Sequence, residues 1–571
     1  MNKPSRSVAG KTNWLRDLLL LLLLVSVLFG YGLGSRALWN PDEGRYAEIP
    51  REMAQTGDYV TPRLNGVKYF EKPVLFYWLQ AGAIRLFGVH EWSLRLWTEL
   101  FAAFGCLAVY VAGCRLYNRR AGWLAAGVLA TSPLYGLLSG VITLDMTVSV
   151  LISMALLAFL IGVREPPGTT RRTWLWAFYA LAACATLTKG LIGIVIPGMV
   201  IGAWIVLLGE WRLLRSLYLP SGLLLFFAIA APWHVLAARA NPEFLHFYFV
   251  HEHFERYLTT AHQRYQPLWF FVPVLLAGMF PWSVFLWHGL KDALRNAWRQ
   301  RRVQREVWFL VLWAALVLAF FSISKSKLMP YILPVLPPLA LLLGRYLAQV
   351  WERPVAFVRH RLFWLLLAVA GALGLALVLI PIYLAGHPKA TVATELLGPH
   401  LYLMAASLML AGVVPFVFSR LGDARRTITS LLAMSALLLV VFEVSLPRLD
   451  LNRSVKSLAL ELKPRLRLGD EVIAYHEYYQ DLPVYLERRI TVAGWKGELE
   501  FGTQVEDTSA WMIDDLAFAQ RLRGGTVYIV TDQSNYETLR QDSALPLFLL
   551  ARSGRNVLLS NREPTRQESV R

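Results

Sequence analysis

Two adjacent carboxylates, Asp42 and Glu43, directly follow Trp39-Asn40-Pro41 near the start of an otherwise apolar chain. Carboxylates at a membrane surface can act as a general base or bind a cationic substrate. The same residues also have a structural explanation, because Asn40 and Glu43 have the spacing of a capping box. Asp42, in the first turn, would suit the helix dipole. The sequence leaves both interpretations open.

Three further groups place charge at predicted helix ends. Glu71 and Lys72 precede Pro73, where Lys72 and free backbone N–H groups could bind a phosphate, or could simply begin a helix. Asp145 begins an apolar helix, where an unpaired carboxylate is costly, so function or capping must explain it. Lys189 is the charge between two apolar runs and either binds a ligand or snorkels to the interface.

His251 and His253 suggest a metal site, but the spacing argues against a shared ion. On one helix, side chains two residues apart diverge by roughly 200°. A zinc or magnesium site would therefore need His251 with Glu255, or either histidine with a ligand from another loop, such as Glu71. We expect no required cofactor, with a divalent metal as the alternative.

The remaining candidates are cationic or aromatic. Arg256 forms either a helix pair with Glu252 or a fork for phosphate. The turn that contains Lys325, Lys327 and Tyr331 carries lysines on the side where the positive-inside bias disfavours them. An anionic ligand would explain that placement.

The elements that position these residues are membrane spans. Of 571 residues, 56% are hydrophobic and 17% charged, below the quarter or so that soluble domains carry. Thirteen apolar runs are long enough, or nearly so, to cross a bilayer. They are centred on 17–34, 94–113, 121–139, 141–163, 174–188, 190–208, 217–237, 267–288, 307–321, 329–349, 362–384, 400–419 and 427–444.

The net charge of +18 predicts the orientation of these spans. The part from Leu446 onward holds 17 Lys+Arg against 18 Asp+Glu, which leaves 40 against 21 for the apolar part. Alternate short loops hold most of these cations, so they and the N-terminus are predicted to be cytoplasmic. The excess charge is thus explained by topology, and we expect no nucleic-acid partner. All the candidate site residues fall on the opposite, outward face.

The tail reads as a small α/β domain without cysteine. Strands are predicted at 471–477, 482–494, 525–531 and 556–560, and helices near 453–463 and 511–523. We expect a transmembrane catalytic domain at 1–445, with interfacial helices in 35–93 and 238–266, and an outward α/β domain at 446–571. In the first of these loops, Asn40 would cap an amphipathic helix that ends near Gly57.

An outward-facing transferase has no ready nucleotide sugar, so it needs a donor delivered through the bilayer, and a polyprenyl phosphate-linked sugar fits. The first loop resembles that of the bacterial lipid A aminoarabinose transferases, which are related to the protein O-mannosyltransferases. The resemblance rests on Leu38-Trp39-Asn40-Pro41-Asp42-Glu43, Arg45-Tyr46-Ala47-Glu48-Ile49, Arg51-Glu52-Met53, Gly57-Asp58, Tyr69-Phe70-Glu71-Lys72-Pro73 and Tyr77-Trp78. Thr143-Leu144-Asp145 and Lys189-Gly190 also look like family features.

The resemblance implies a polytopic α-helical membrane protein of the C-type glycosyltransferase fold, with about 13 transmembrane helices and a small C-terminal α/β soluble domain. It implies transfer of 4-amino-4-deoxy-L-arabinose from undecaprenyl phosphate to a lipid A phosphate at the periplasmic face of the bacterial inner membrane. Such a change to lipopolysaccharide favours resistance to cationic antimicrobial peptides such as polymyxin.

The resemblance also assigns roles to residues. Asp42 matches the family's first-loop catalytic acid, and Glu71 and Lys72 match its pair near the lipid phosphate. By position, Tyr69, Arg256 and Tyr331 would line the same cavity. We expect Asp42, Asp145 and Glu43 to be catalytic, and the other residues to bind substrate or lipid phosphate: Tyr69, Glu71, Lys72, Lys189, Arg256, Lys325, Lys327 and Tyr331.

Two other functions are compatible with these residues. A related transferase could use the same acid to deliver another sugar, in the manner of a mannosyltransferase, to protein or to a glycan. A polyprenyl-lipid transporter without chemistry would place polar residues through the midplane of the spans. Here they gather in the outward loops, which favours a transferase.

Overall fold

A computed structural model describes residues 11–248, 266–295, 298–352, 361–385, 391–449, 453–542 and 546–563. The helices are α1 (Lys11–Gly30), α2 (Asp42–Thr56), α3 (Leu75–Phe87), α4 (Glu91–Leu116), α5 (Arg119–Ala130), α6 (Pro133–Ser139), α7 (Leu144–Gly162), α8 (Thr169–Lys189), α9 (Ile192–Leu208), α10 (Leu219–Ala240), α11 (Phe271–Gly278), α12 (Ser283–Leu294), α13 (Arg305–Ile323), α14 (Leu336–Glu352), α15 (Leu362–Ala385), α16 (Thr391–Arg420), α17 (Ala424–Leu449), α18 (Lys456–Leu462), α19 (Asp481–Leu486), α20 (Glu500–Val505), α21 (Asp515–Arg521) and α22 (Gln533–Asp542).

Short 3-10 helices and strands complete the described part. The 3-10 helices are Trp211–Ser216, Met329–Val335, Lys463–Arg465 and Gly497–Leu499. The strands are β1 (Arg63–Leu64), β2 (Val67–Lys68), β3 (Glu471–Tyr475), β4 (Thr491–Ala493), β5 (Met512–Ile513), β6 (Val527–Asp532), β7 (Phe548–Ser553) and β8 (Asn556–Ser560).

Each of the thirteen apolar runs falls on helix, which confirms the polytopic helical fold class. Among the described residues, eight helices are long and apolar enough to cross a membrane, or ten if each of two bent pairs forms one span. The bent pairs are α5–α6, at 66°, and α11–α12, at 100°. A proline stands at each break, Pro133 and Pro281, because proline cannot continue the helical hydrogen-bond ladder. The count of thirteen spans stays a prediction.

The chain divides into two compact units, and the helical unit comprises residues 1–33, 97–232 and 253–446. Its most enclosed spans are α7, with 89% of its apolar window buried, and Met329–Glu352, with 83%. Helices pack closely where small residues meet. A Cβ at Gly344 of α14 would lie 2.6 Å from the Ala125 Cβ of α5, so any larger residue would force these two helices apart.

The second unit comprises residues 34–96, 233–252 and 447–571. The predicted domains differ here, since they assigned 35–93 and 238–266 to the membrane part. The C-terminal residues form one six-stranded sheet, in the order β5-β4-β3-β6-β8-β7. Strands β3 to β6 are parallel, whereas β8 runs antiparallel to β6 and β7. Ile473, Ile529 and Leu559 are fully buried in its core.

The predicted strands at 471–477, 525–531 and 556–560 are confirmed in β3, β6 and β8. The strand at 482–494 is wrong in its first half, where residues 481–486 form α19 and only Thr491–Ala493 pair in the sheet. Pro483 accounts for this, because it lacks the N–H that a ladder needs but fits the first turn of a helix. The helix near 453–463 is confirmed as α18, while 511–523 begins with β5 before α21.

Helix α2 ends at Gly57 as predicted, with Gly57 at φ 77° and its N–H bonded to the Met53 carbonyl. Its start differs, because Pro41 is the N-cap and the Asn40 side chain bonds to Asp481 instead of capping. The helix is also more enclosed than an interfacial amphipathic helix would be. Ten of its residues are buried, including charged ones that have partners: Glu43, Gly44, Arg45, Ala47, Glu48, Ile49, Pro50, Arg51, Glu52 and Met53.

Candidate functional site

The second unit contains a charge cluster built around Arg45 of α2. Its guanidinium donates to Asp42 at 2.6 Å and to the Tyr69 hydroxyl at 3.2 Å, and pairs with Glu498 at 2.7 Å. Arg45 is 7% exposed, whereas Asp42 is 51% exposed. Asp42 is therefore a carboxylate that is open to solvent and held by a buried cation.

Burial and charge act against each other in this cluster. Burial would lower the pKa of Arg45, but Glu498 and the neighbouring phenols outweigh it and raise the pKa. Burial raises the pKa of Glu498, and the positive charge of Arg45 opposes that shift. Burial likewise raises the pKa of Tyr69, so its hydroxyl stays protonated and can donate a hydrogen bond.

Two polar atoms in the same place have no hydrogen-bond partner among the described residues, the Arg45 Nε and the Tyr77 hydroxyl. Both lie beside Tyr46, whose ring is 5.3 Å from the Arg45 guanidinium and 6.3 Å from the Tyr77 ring. Tyr77 is fully buried. Buried polar atoms without a partner are costly, and neither of these two is accessible in this structure, so a substrate group would reach them only after a neighbouring side chain moved.

Glu43 does not share the exposure of Asp42. It is fully buried and accepts hydrogen bonds from Arg36, Arg95 and the Trp39 N–H, at 2.6 to 3.1 Å. Burial alone would raise its pKa, but Arg95 and Arg36 lower it to about 2. The predicted catalytic role of Glu43 is therefore corrected to an anchoring one, because an enclosed carboxylate with five donors cannot meet a substrate.

Glu71 and Lys72 lie just before α3, which begins at Leu75 rather than at Lys72. Lys72 donates to the Glu71 carbonyl at 2.6 Å, and its Nζ is 3.9 Å from the Glu71 carboxylate. Lys68, not singled out in the sequence, pairs with Glu243 at 2.7 Å. The structure thus keeps Glu71 and Lys72 together as a partly buried pair in the same unit as Asp42.

The helical unit holds a second cluster, made of Asp145, Lys189 and Tyr331. Asp145 in the first turn of α7 forms an ion pair with Lys189, the last residue of α8. The Lys189 Nζ also lies 4.8 Å from the Tyr331 ring centroid, within cation–π range. Gly190, at φ 80°, ends α8 in a backbone conformation that a side chain would strain. Lys189 therefore has a specific partner and does more than snorkel.

The two turn lysines of this unit differ. Lys325 is exposed. Lys327 is 5% exposed and donates to the carbonyls of Gln266 and Ser324, at 2.8 and 2.5 Å. Burial lowers its pKa. Lys327 thus stabilises the turn through these two hydrogen bonds.

Part of the predicted set lies outside the described residues, namely His251, His253 and Arg256. Of the proposed metal ligands only Glu71 is described. Across the described ranges, no group of three or more His, Cys, Asp or Glu side chains could hold a metal ion.

Sequence reasoning missed Arg45, Glu498 and Tyr77. The i,i+3 spacing of Asp42 and Arg45 on α2 was a usable signal, because such pairs face each other on a helix. Tyr77 stands in the motif that carried the resemblance, but nothing local marks its hydroxyl as buried and without a partner in the described part of the chain. Glu498 comes from the distant C-terminal segment, and no local pattern connects it with the first loop.

Two protein families each match a part of the chain. Residues 71–235 match the family described as dolichyl-phosphate-mannose-protein mannosyltransferase. Residues 458–561 match the aminoarabinose transferase C-terminal domain.

Full-length relatives and solved structures extend these matches. Undecaprenyl phosphate-α-4-amino-4-deoxy-L-arabinose arabinosyl transferase of Pectobacterium atrosepticum is 30% identical, over 91% of this chain and 94% of the relative. The enzyme of that name from Pectobacterium carotovorum is 31% identical, over 89% and 91%. The crystal structure of ArnT from Cupriavidus metallidurans bound to undecaprenyl phosphate matches with a TM-score of 0.83 and 29% identity, covering 97% of this chain and 99% of that one.

A more distant structure shares the fold alone. The archaeal oligosaccharyltransferase AglB from Archaeoglobus fulgidus matches with a TM-score of 0.51 and 11% identity, over 92% of this chain and 70% of that one.

Proposed function

Because the chain belongs to the undecaprenyl phosphate-4-amino-4-deoxy-L-arabinose arabinosyl transferase family, we propose that it transfers this sugar from undecaprenyl phosphate to a phosphate of lipid A. The observation that carries the proposal is identity of 30% with a transferase of that name over 94% of the relative's length. The match of residues 458–561 to the aminoarabinose transferase C-terminal domain supports the same sugar.

The chemistry fits the exposed carboxylate of the first cluster. Cleavage of the donor leaves a lipid phosphate, and the sugar gains positive character in the transition state. The acceptor phosphate is already ionised, so it does not require a strong base. We therefore propose that Asp42, held by Arg45, orients the sugar or stabilises its positive charge, rather than removing a proton.

Cations are needed for the departing phosphate. In the second unit we propose Lys72 for this role, with Tyr69 and Glu71 as substrate contacts. For the helical unit we propose that Lys189 binds a phosphate and that Asp145 orients it through their ion pair. Arg256, Lys325, Lys327 and Tyr331 remain proposed substrate contacts.

We propose that the protein lies in the bacterial inner membrane with its N-terminus in the cytoplasm. Lys and Arg are concentrated in alternate loops, and this supports a periplasmic position for both clusters and for the C-terminal residues. In that orientation the product would be lipopolysaccharide with reduced negative charge, which favours resistance to polymyxin and other cationic peptides.

The test is transfer by purified protein in the presence of undecaprenyl phosphate-aminoarabinose and lipid A, with the product read by mass spectrometry. We expect wild type to add one aminoarabinose mass, and Asp42→Asn to lower the rate by about 100-fold or more. Asp42 is half-exposed and Asn keeps an oxygen that can accept from Arg45, so the variant should unfold close to the wild-type temperature. Transfer by Asp42→Asn at the wild-type rate would remove Asp42 from the site.

The same assay tests the cofactor. We propose that no metal is required, because lysine and arginine side chains can supply the positive charge. The assay therefore contains a chelator, and a rate that rises on addition of Zn²⁺ or Mg²⁺ would contradict this part.

A second candidate is a related transferase that uses a polyprenyl-linked sugar to modify protein or another glycan. The match of residues 71–235 to the mannosyltransferase family favours it. Transfer to a peptide or glycan, with no mass added to lipid A, would establish this alternative.

A further inference from the structure

A reciprocal pair of hydrogen bonds joins the first loop to the C-terminal segment of the second unit. The Asn40 Nδ2 donates to the Asp481 carboxylate, and the Asp481 backbone N–H donates to the Asn40 Oδ1 at 3.0 Å. These two residues are 441 positions apart in the chain. Two bonds between one side chain and one residue fix orientation as well as distance.

Asp481 is itself held firmly. Its second carboxylate oxygen accepts from the Ser454 hydroxyl at 2.6 Å and from the Val455 N–H at 3.0 Å, and Asp481 is fully buried. Burial raises the pKa of Asp481 to about 6, and its hydrogen-bond donors oppose this. A buried carboxylate with three donors cannot move without leaving a donor unpaired.

The first-loop backbone is also held on the C-terminal side of Asp42, at Gly44. Gly44 packs against the start of α19, where an added Cβ would lie 2.5 Å from the Asp481 nitrogen. The Asn40 backbone N–H also donates to the Arg453 carbonyl at 2.8 Å. Asn40 and Gly44 flank Asp42 by two residues each, so the backbone that carries Asp42 is fixed before and after it.

We propose that Asp481 is a positioning residue for sugar transfer, which acts by holding Asn40 and so sets where the Asp42 carboxylate lies. The inference deepens the proposed function and rests on it. Asp481 need not touch either substrate. Its effect is on the geometry of Asp42, and displacement of a reacting group by about 1 Å can cost about 100-fold in rate.

The pair can be tested by exchanging its two side chains. In Asp481→Asn the side chains at positions 40 and 481 are both amides, and in Asn40→Asp they are both carboxylates. Each single change therefore removes the match between donor and acceptor that joins the pair. The double variant Asn40→Asp/Asp481→Asn restores the same number of hydrogen bonds, with donor and acceptor exchanged between the two side chains. Its carboxamide oxygen accepts from Ser454 and Val455, and its NH2 donates to the carboxylate at position 40.

We expect each single variant to lose kcat by about 100-fold with little change in KM, and the double variant to recover to within about tenfold of wild type. The hydrogen-exchange rates of the backbone amides in residues 39–45 should rise in the single variants and return to wild-type values in the double variant. A purely structural role would change the unfolding temperature and leave kcat of the folded protein alone.

Asn65 supplies a matched control. Its side chain bonds to both backbone groups of Ile490, at 3.0 Å, and so also joins the first loop to the C-terminal segment, but through the turn between β1 and β2 and not through the residues that flank Asp42. At φ 53° glycine fits this position. Asn65→Gly should lower the unfolding temperature and keep the wild-type kcat.

Several results would overturn the proposal. These are single variants that keep wild-type kcat, a folded double variant as slow as the single ones, or a double variant that does not fold. If a single variant fails to fold, the double variant decides alone. If wild type transfers no sugar, the proposed function fails instead, and hydrogen exchange still reports whether Asp481 holds the segment.

Discussion

At the scale of single residues, adjacent carboxylates in the first loop have opposite environments. Asp42 is half-exposed beside one arginine, whereas Glu43 is enclosed by two. The alternation follows from the helix, because successive side chains point about 100° apart. Chemistry and anchoring are thus divided between neighbours that look equivalent in the sequence.

The Tyr77 hydroxyl, which has no hydrogen-bond partner within the described ranges, gives a residue-scale prediction. A buried hydroxyl without an acceptor costs about 1–3 kcal/mol, so Tyr77→Phe should keep or slightly raise the unfolding temperature. If the hydroxyl donates to substrate, KM for the donor or the acceptor should rise by about tenfold. Unfolding is measured by a thermal shift in detergent, and KM in the transfer assay.

Tyr69→Phe is the comparison for that experiment, since the Tyr69 hydroxyl has a partner in Arg45. It should lower the unfolding temperature as well as transfer. Loss of stability in Tyr77→Phe, with unchanged KM, would show that its hydroxyl has an internal partner.

At the scale of elements, α2 is a charged helix that is enclosed rather than solvated. Arg51 forms two 2.6 Å bonds to Glu48, and both Glu52 oxygens lie 3.0 Å from the Gly66 N–H at the hairpin tip. Partners of this kind let a polar helix be buried, because a paired charge costs far less free energy to bury than an isolated one. They also hold α2 and the β1–β2 hairpin together.

Glu52 makes the stability of this element depend on pH. Burial and then Glu48 raise its pKa above the ordinary 4.5, although Arg51 opposes them. The folded state therefore binds a proton that the unfolded state has lost above pH 4.5, and stability falls as pH rises from there through the folded pKa. The neutral Glu52→Gln should show a flatter profile of unfolding temperature as the pH rises above the ordinary pKa of 4.5.

Glu500→Gln serves as the control for that measurement, because Glu500 is exposed. Its profile should follow wild type. If the unfolding temperature fell equally steeply with pH in wild type and in Glu52→Gln, the proton shared by Glu48 and Glu52 would be contradicted.

At the scale of the whole molecule, charge distribution predicts orientation. In a cysteine-free background, Leu468→Cys and Arg212→Cys each expose one thiol, since both residues are exposed. We expect a membrane-impermeant maleimide to label Leu468→Cys in intact spheroplasts, and Arg212→Cys only after lysis, because lysine and arginine favour the cytoplasmic side. The reverse pattern would invert the proposed topology.

The sequence by itself determined the helical membrane fold, the outline of the C-terminal sheet and the polar groups of the first loop. It could do so because apolar run length and strand patterning are local properties. The family resemblance likewise came mainly from short motifs within residues 38–78, and relatives at 30 to 31% identity confirm it. Asp42 and the Glu71-Lys72 pair could therefore be selected as candidates from local sequence alone.

Only the tertiary structure decided which charges are buried and with what they pair. The Arg45–Glu498 and Asn40–Asp481 contacts join the first loop to the C-terminal residues, across more than 400 positions for the second pair. It also showed that Glu43 anchors and that 481–486 is helical. Local spacing carries no information about partners so distant, because the energy of a buried charge depends on what the fold places beside it.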